Sequence, residues 1–167
     1  MAEQVLLTLG SNVERERSLP GAIAALRRHP GWRLQAVSPF YETAAVGGDA
    51  PQPAFWNAAA LIETDLTPGP LRHALREIEA SLGRLRTSDK YAPRAIDLDI
   101  AFYGNQVVVV DGHSLPDPDV ARFPHLALPL ADVAPAWVHP QLGVTLRQLA
   151  DRMTYASGDV VRVETSS

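Results

Sequence analysis

Hydrophobic residues recur with the period of a helix in some segments of the chain and with the pattern of a strand in others. The order of these segments predicts the fold. Two segments, 18–29 and 68–82, carry apolar side chains at the three- and four-residue spacing of a helix buried on one face. Four shorter segments are apolar or alternate, which predicts strands over 4–9, 32–38, 55–63 and 95–103. The resulting strand–helix–strand–strand–helix–strand order predicts an α+β, ferredoxin-like βαββαβ sandwich with a C-terminal extension. We expect one domain over residues 1–167.

Capping residues mark the ends of the two helices. Ser18 is predicted to cap the first helix and Thr67 the second, with Pro68 at the first helical position. Gly83 is expected to end the second helix, because glycine adopts the left-handed backbone that follows many helices.

The other segments are predicted to connect or follow these elements. We expect a turn at Gly10-Ser11-Asn12, a long loop over 43–54, a hairpin from Gly104-Asn105 into 106–110, a loop over 111–125, a helix from Thr145 to about Met153, and a polar, partly disordered end over 154–167. Long loops in compact domains often carry function, so the loop over 43–54 is a candidate binding segment.

Composition excludes several classes of site and location. The chain of 167 residues contains no cysteine, which rules out disulfides, thiolate zinc sites and cysteine nucleophiles. A formal net charge of −4 does not favour general nucleic-acid binding, and we expect no nucleic-acid partner. No apolar run approaches the ~20 residues of a membrane span, and the N-terminus lacks the pattern of a secretory signal. We therefore expect a cytoplasmic monomer without a membrane partner.

Asp97 and Asp99 are the first candidates for chemistry. On a strand they share one face with Ala101, with Cα atoms of the two aspartates ~6.6 Å apart. The opposite, apolar face consists of Ile96, Leu98, Ile100 and Phe102. Two carboxylates so close repel each other, and Mg²⁺, which prefers oxygen ligands, would remove the repulsion. The alternative is that both aspartates simply face solvent.

The segment just before this strand is rich in cations. It contains Arg84, Arg86, Lys90 and Arg94 against a single anion, Asp89. Arginine pairs its donors with phosphate oxygens, so these side chains next to metal-binding carboxylates suit a polyphosphate. Only Tyr91 is a large anchor between Arg86 and Arg94, which predicts a lid that opens and closes. A solvated basic loop is the plain alternative.

The segment KYAPRAIDLDI, residues 90–100, resembles the signature of the 6-hydroxymethyl-7,8-dihydropterin pyrophosphokinase family of folate biosynthesis. Further matches in the same order are Gly10-Ser11-Asn12, Phe40-Tyr41-Glu42-Thr43, Phe55-Trp56-Asn57-Ala58-Ala59 and Gly83-Arg84, and the resemblance covers roughly residues 4–150. It implies an ATP-dependent diphosphokinase that transfers pyrophosphate from ATP to the hydroxymethyl group of the pterin. The products would be the pterin diphosphate and AMP.

The resemblance also implies a role for each matched residue. As catalytic residues it implies Arg84, Arg94, Asp97 and Asp99, the two aspartates holding two Mg²⁺ ions. As ATP-binding residues it implies Glu79, Arg84, Arg86 and Arg94. As pterin-binding residues it implies Thr43, Ala45, Val46, Phe55, Asn57, Asp97 and either His125 or Phe123.

Two departures from the family pattern keep other functions open. Asp117 stands where many members have a histidine that contacts ATP, and Thr87 where many have a lysine. The chain could instead be another two-metal nucleotidyltransferase on a ferredoxin-like palm. It could also be a pterin-binding homologue without catalysis, which Asp117 and Thr87 would permit.

Overall fold

The computed structural model describes residues 2–43, 54–83, 96–155 and 158–163. The elements in chain order are β1 (Glu3–Ser11), α1 (Arg15–Arg28), β2 (Trp32–Val37), β3 (Tyr41–Thr43), β4 (Phe55–Thr64), α2 (Pro68–Ser81), β5 (Asp97–Tyr103), β6 (Val108–Val110), β7 (His113–Leu115), α3 (Pro124–Val133), α4 (Leu146–Arg152) and β8 (Val160–Arg162). A 3-10 helix, Pro118–Ala121, lies between β7 and α3. No helix within the described ranges is long and apolar enough to cross a membrane.

The central sheet confirms the predicted ferredoxin-like order. Its strands run β5-β1-β4-β3-β8, and β2 pairs with β4 as well. β2 and β3 lie along successive stretches of the same edge of β4, opposite Ala60–Thr64 and Phe55–Asn57 respectively. Strand β3 has only three residues and was not predicted, because so short a segment shows no period.

Both faces of this sheet are buried, and this explains the continuous apolar run in β1. Leu7 and Leu9 pack in a core with α1 and α2, whereas Leu6 packs in a second core with α3 and α4. β1 also continues through Ser11, so the predicted turn at Gly10-Ser11-Asn12 begins later than expected. A central strand covered on both faces needs apolar residues at consecutive positions.

A bulge in β5 changes the predicted face of Phe102. Leu6 pairs with Phe102 but Leu7 pairs with Ile100, so Ala101 is an extra residue between them. Leu98 and Ile100 therefore face the first core as predicted, while Ala101 and Phe102 both face the second. The prediction that Phe102 shares a face with Leu98 and Ile100 was wrong.

The hairpin predicted at Gly104-Asn105 was also wrong. Gly104 donates its backbone N–H to the carbonyl of Gln4, and β6 pairs with β7 in a separate two-stranded sheet. The turn of that hairpin is Asp111-Gly112, with φ values of 51° and 80°. Two positive φ values at the centre of a two-residue turn are typical of type I′, and Asp-Gly is its favoured sequence. Part of the predicted loop over 111–125 is therefore regular structure.

Neither Ser18 nor Thr67 makes its predicted capping hydrogen bond, whereas the helix predicted to start at Thr145 has a cap that was not predicted. α1 begins at Arg15, so Ser18 lies inside it and its hydroxyl donates to the carbonyl of Val13. Thr67 precedes α2 as predicted, but its side chain makes no capping hydrogen bond. The hydroxyl of Thr145 accepts the backbone N–H of Gln148, whose side chain accepts from Thr145 in return. α4 therefore begins with a complete capping box.

The C-terminal extension contains more structure than predicted. α3 lies partly in the predicted loop, with proline at its first position, Pro124, and inside it, Pro129. Within the predicted disordered end, β8 pairs with β3, and Val163 donates to the carbonyl of Phe40 at 2.7 Å. Proline-rich and polar patterns did not indicate these elements because tertiary contacts, rather than local preference, hold them.

Candidate active site

A row of directly opposed residues crosses the sheet and joins the candidate metal ligands to the candidate pterin contacts. Asp97 of β5 pairs with Gly10 of β1, and Gly10 pairs on its other side with Asn57 of β4, which pairs in turn with Tyr41 of β3. Side chains of directly opposed residues project from the same face. Asp97 and Asn57 therefore lie on one face, two strand spacings or about 10 Å apart.

Gly10 leaves the middle of this row without a side chain. A Cβ atom at that position would lie 3.3 Å from Oδ1 of Asn57 and 3.9 Å from Cδ1 of Phe55. The backbone of β1 thus forms a floor between the Asp97 carboxylate and the Asn57 amide, and a flat ring can approach it closely. The motif Gly10-Ser11-Asn12 contributes this gap, which its sequence alone did not reveal.

The side chains around the gap form a small polar and aromatic group. Nδ2 of Asn57 donates to Oγ1 of Thr43 at 2.9 Å, and both residues are buried. Phe55 lies two residues before Asn57 on β4, opposite Thr43. The structure thus brings together three of the predicted pterin-binding residues, and the bond to Thr43 orients the Asn57 amide with its oxygen toward Gly10.

Asp97 and Asp99 project from this same face of β5, at its edge of the sheet. The pKa of Asp99 is raised by burial and by the negative charge of Asp97, while Arg76 acts in the opposite direction. No group of three or more acidic, histidine or cysteine ligands occurs among the residues that the structure describes. Two carboxylates fit a magnesium ion that takes its other oxygen ligands from a phosphate group and water.

Arg76 of α2 was not predicted and joins two of the predicted residues. Its Nη1 donates to the carboxylate of Glu79, and its Nη2 donates to Oδ1 of Asp99 at 2.9 Å. Oε2 of Glu79 also accepts the backbone N–H of Leu98, at 2.7 Å, and the side chain of Glu79 is only 1% exposed. The three-residue spacing of Arg76 and Glu79 on α2 is a signal that could have predicted their pairing, but nothing in the sequence pointed to Asp99 as the third member.

A cleft of about 430 Å³ opens beside Arg76 and Asp99, between α2 and the segment that contains β6 and β7. Arg72, one helical turn before Arg76, places its Nη2 2.8 Å from Nε2 of His113. Asp117, the departure from the family pattern, also lines the cleft, and its side chain accepts the backbone N–H of Asp119 at the start of the 3-10 helix. Burial raises the pKa of Asp117.

The two candidates for the far wall of the pterin pocket lie at the start of α3, which packs on the second face of the sheet. The rings of Phe123 and His125 are 5.4 Å apart between centroids, and Phe123 is 38% exposed. Burial lowers the pKa of His125, which favours the neutral imidazole. Which of the two rings contacts a pterin stays a prediction.

Five predicted site residues lie outside the described residues, together with the predicted lid between Arg86 and Arg94. They are Ala45, Val46, Arg84, Arg86 and Arg94. Their roles stay predictions. Gly83, which precedes them, ends α2 as predicted with a φ of 90°.

Comparisons with known proteins show which family the chain resembles. The family model for 7,8-dihydro-6-hydroxymethylpterin-pyrophosphokinase (HPPK) matches residues 6–135. A 2-amino-4-hydroxy-6-hydroxymethyldihydropteridine pyrophosphokinase from Pseudomonas aeruginosa is 38% identical over 136 residues, which are 81% of this chain and 83% of that protein. The protein of the same name from Synechocystis is 35% identical over 136 residues, 81% of this chain and 68% of that protein.

Solved structures show the same fold. A crystal structure of Plasmodium falciparum HPPK-DHPS matches with a TM-score of 0.70 at 14% identity. The match covers 91% of this chain and 44% of that longer one. Because the family model matches most of its length, the chain belongs to the 7,8-dihydro-6-hydroxymethylpterin-pyrophosphokinase family.

Proposed function

We propose that this chain transfers the pyrophosphoryl group of ATP to 6-hydroxymethyl-7,8-dihydropterin in folate biosynthesis. The hydroxyl oxygen of the pterin forms a bond to the β-phosphorus of ATP. The bond from that phosphorus to the α,β-bridging oxygen breaks, and AMP leaves with this oxygen. The hydroxyl proton passes to solvent. The family and the names of the relatives support this reaction.

Asp97 and Asp99 are the residues that would hold magnesium, and we propose two ions. When bound, magnesium neutralises negative charge on the phosphates and on the leaving oxygen. Asp99 lines the cleft and Asp97 lies two residues before it on the same edge strand, so a triphosphate in the cleft can reach the pair. Phosphoryl transfer depends mainly on positioning and charge neutralisation; the two aspartates would position the metal ion, and the metal ion would neutralise the charge.

The pterin would lie over Gly10, between the aspartates and β3. Phe55 supplies an apolar face for the ring, and Asn57 supplies an amide that both donates and accepts hydrogen bonds. In this arrangement the hydroxymethyl group can point toward Asp97. Binding residues outside the described ranges, Ala45 and Val46, would complete the pocket.

A single observation carries the proposal, namely the row of paired residues Asp97, Gly10 and Asn57. It supports the proposal because the two carboxylates and the Asn57 amide lie on one face of one sheet, separated by a gap without a side chain. A metal-bound phosphate and a flat heterocycle can therefore lie side by side, as the transfer requires.

The test is AMP formation from ATP and Mg²⁺ with and without 6-hydroxymethyl-7,8-dihydropterin, followed by chromatography. We expect AMP and the pterin diphosphate only when all three components are present. Asp97→Asn should abolish turnover, whereas Asp65→Asn, at an exposed bend beyond the end of β4 opposite to Phe55 and Asn57, should leave it unchanged. Release of inorganic pyrophosphate would instead indicate nucleotidyl transfer. Pterin binding without any AMP would indicate a homologue that binds but does not catalyse.

A further inference from the structure

The contacts of Arg76 suggest a role before the nucleotide arrives. The guanidinium bridges a buried carboxylate, Glu79, and a carboxylate that is 48% exposed at the cleft, Asp99. The Arg76 side chain is itself only 17% exposed. A planar guanidinium that donates to two carboxylates at once is held firmly, because its donors form a rigid fork.

This bridge places a positive charge directly on one of the two candidate metal ligands. A divalent cation at Asp97 and Asp99 would lie close to the guanidinium, and like charges repel strongly where water is partly excluded. Arg76 also binds Oδ1 of Asp99, one of the oxygens that the cation would use. Both effects weaken binding of a cation that arrives alone.

A triphosphate changes this balance. It brings about four negative charges, and its oxygens can accept hydrogen bonds from a guanidinium and bind a metal ion together. Arg76 lines the cleft beside Asp99, where such phosphates would enter. The repulsion that opposes a lone cation is therefore offset when the cation arrives with the nucleotide.

We propose that Arg76 is a positioning residue that lowers the affinity of the Asp97–Asp99 pair for a free divalent cation, so that the metal ion enters the site together with the nucleotide. The inference rests on the proposed function only in taking these aspartates as the metal ligands. It concerns the order in which charge enters the site, and it predicts a gain of metal affinity when Arg76 is replaced. A merely structural role would predict a loss.

Mn²⁺ binding measured by electron paramagnetic resonance tests this without turnover or pterin. Without nucleotide, Arg76→Gln should bind Mn²⁺ about tenfold more tightly than the wild type, because a like charge has been removed. With α,β-methylene-ATP present, the difference should shrink to about twofold, since the phosphates now offset the guanidinium.

Two further variants separate the effect of the positive charge of Arg76 from the effect of its hydrogen bond to Asp99. They also control for misfolding of Arg76→Gln. Arg76→Gln removes the guanidinium that donates to the buried Glu79, so we pair it with the double variant Arg76→Gln/Glu79→Gln. The double variant has the same net charge as the wild type but lacks the bond to Asp99, and it should still bind Mn²⁺ at least about threefold more tightly. Arg76→Lys keeps the charge and should stay within about threefold of the wild type.

Arg147→Gln is the matched control, since Arg147 also pairs with aspartates, Asp132 and Asp151, away from the cleft. Its Mn²⁺ affinity should equal that of the wild type. Unchanged or weaker Mn²⁺ binding in both Arg76→Gln and the double variant would overturn the proposal, and so would an equal gain in Arg147→Gln. The proposed function fails separately, if the wild type forms no pterin-dependent AMP.

Discussion

Two clusters in this molecule join a helix to the sheet through carboxylates and arginine, and they differ in their balance of charge. In the cleft cluster, Arg76 of α2 binds Glu79 and Asp99. In the closed cluster, which comprises Tyr41, Asp132 and Arg147, the Tyr41 hydroxyl donates to Asp132 of α3, and Arg147 of α4 lies 4.0 Å from Asp132. The cleft cluster opens on a cavity, whereas Tyr41 is buried in the closed cluster.

The balance between carboxylates and cations indicates a different role for each cluster. In the closed cluster Asp132 is shared by a neutral phenol and Arg147; Arg147 pairs with Asp151 as well, and the positive charge of Arg162 also acts on Tyr41. Burial together with the hydrogen bond to Asp132 raises the pKa of Tyr41 to about 12. In the cleft cluster one arginine contacts two carboxylates, and Asp97 adds a third charge that raises the pKa of Asp99. A cluster of balanced charge is typical of a structural contact, whereas an excess of carboxylates beside a cavity, counted over residues 2–43, 54–83, 96–155 and 158–163, is typical of a cation site.

Replacing aspartate by asparagine should impair catalysis in the cleft cluster and stability in the closed cluster. The effect on catalysis should be the largest of those predicted here. Asp99→Asn should lower pterin-dependent AMP formation at least about 10²-fold, because the amide is a poor metal ligand. Arg76 can still donate to the amide oxygen, so the fold should persist. Asp132→Asn should leave the rate within about twofold while lowering the free energy of unfolding by about 1–2 kcal/mol. Equal loss of activity in both variants would remove the distinction between the clusters.

The pH dependence of stability should identify the closed cluster. The folded-state pKa of Tyr41 is about 12, above its ordinary value of 10.0, so folding favours the neutral phenol. The stabilisation that the neutral phenol gives the fold is complete below pH 10 and is lost as the pH rises through about 12. The total loss in the free energy of unfolding approaches ~2–3 kcal/mol. Urea unfolding at pH 9 and pH 11 should show about half of this loss in the wild type, because pH 11 lies midway between the two pKa values, and a smaller loss in Tyr41→Phe. Identical pH dependence in the two proteins would contradict the assignment.

The polar row that runs from the cleft cluster toward Tyr41 should contribute to pterin binding rather than to metal binding. Phe55→Ala should weaken the affinity for the pterin about tenfold, through loss of an aromatic face. The affinity for α,β-methylene-ATP with Mg²⁺ should change less than about twofold, since Phe55 lies on β4 and not beside the cleft. Isothermal titration with each ligand checks both, and equal losses would contradict the separation of the two pockets.

The smallest expected effect comes from filling the gap in the middle of the row. In Gly10→Ala the new Cβ would lie 3.3 Å from Oδ1 of Asn57, close enough to shift that amide slightly. The backbone of β1 at Gly10 is ordinary strand, so we expect little loss of stability. Pterin affinity should fall about threefold, with Mn²⁺ affinity unchanged. An unaltered pterin affinity would mean that the ring does not approach this strand.

The long segments with a clear hydrophobic period were sufficient to predict most of the central sheet and its two long helices. The apolar spacing of Leu71, Leu75 and Ile78 predicted α2, and all three side chains are buried. The short and irregular elements were missed, including β3, α3 and the bulge at Ala101. A bulge depends on how two strands pair, and neither strand carries that information alone.

The residues of the candidate site likewise comprise some that the pattern of one segment predicted and others that depend on how segments pair. Alternation along one strand was enough to place Asp97 and Asp99 on a single face, which the register confirms. Arg76 could not be found in this way, because its bond to Asp99 joins residues 23 positions apart on a helix and a strand. The closeness of Gly10 to Asn57 likewise depends on the pairing of β1 with β4.

The sequence by itself therefore determined the order of the four long strands and two long helices, the carboxylate pair and the family to which the chain belongs. Only the tertiary structure decided which groups surround that pair: the guanidinium of Arg76, the buried Glu79 and the open floor at Gly10. The physical reason is that side-chain periodicity is a property of one segment, whereas charge balance and close approach depend on distances between segments that meet only when the chain folds.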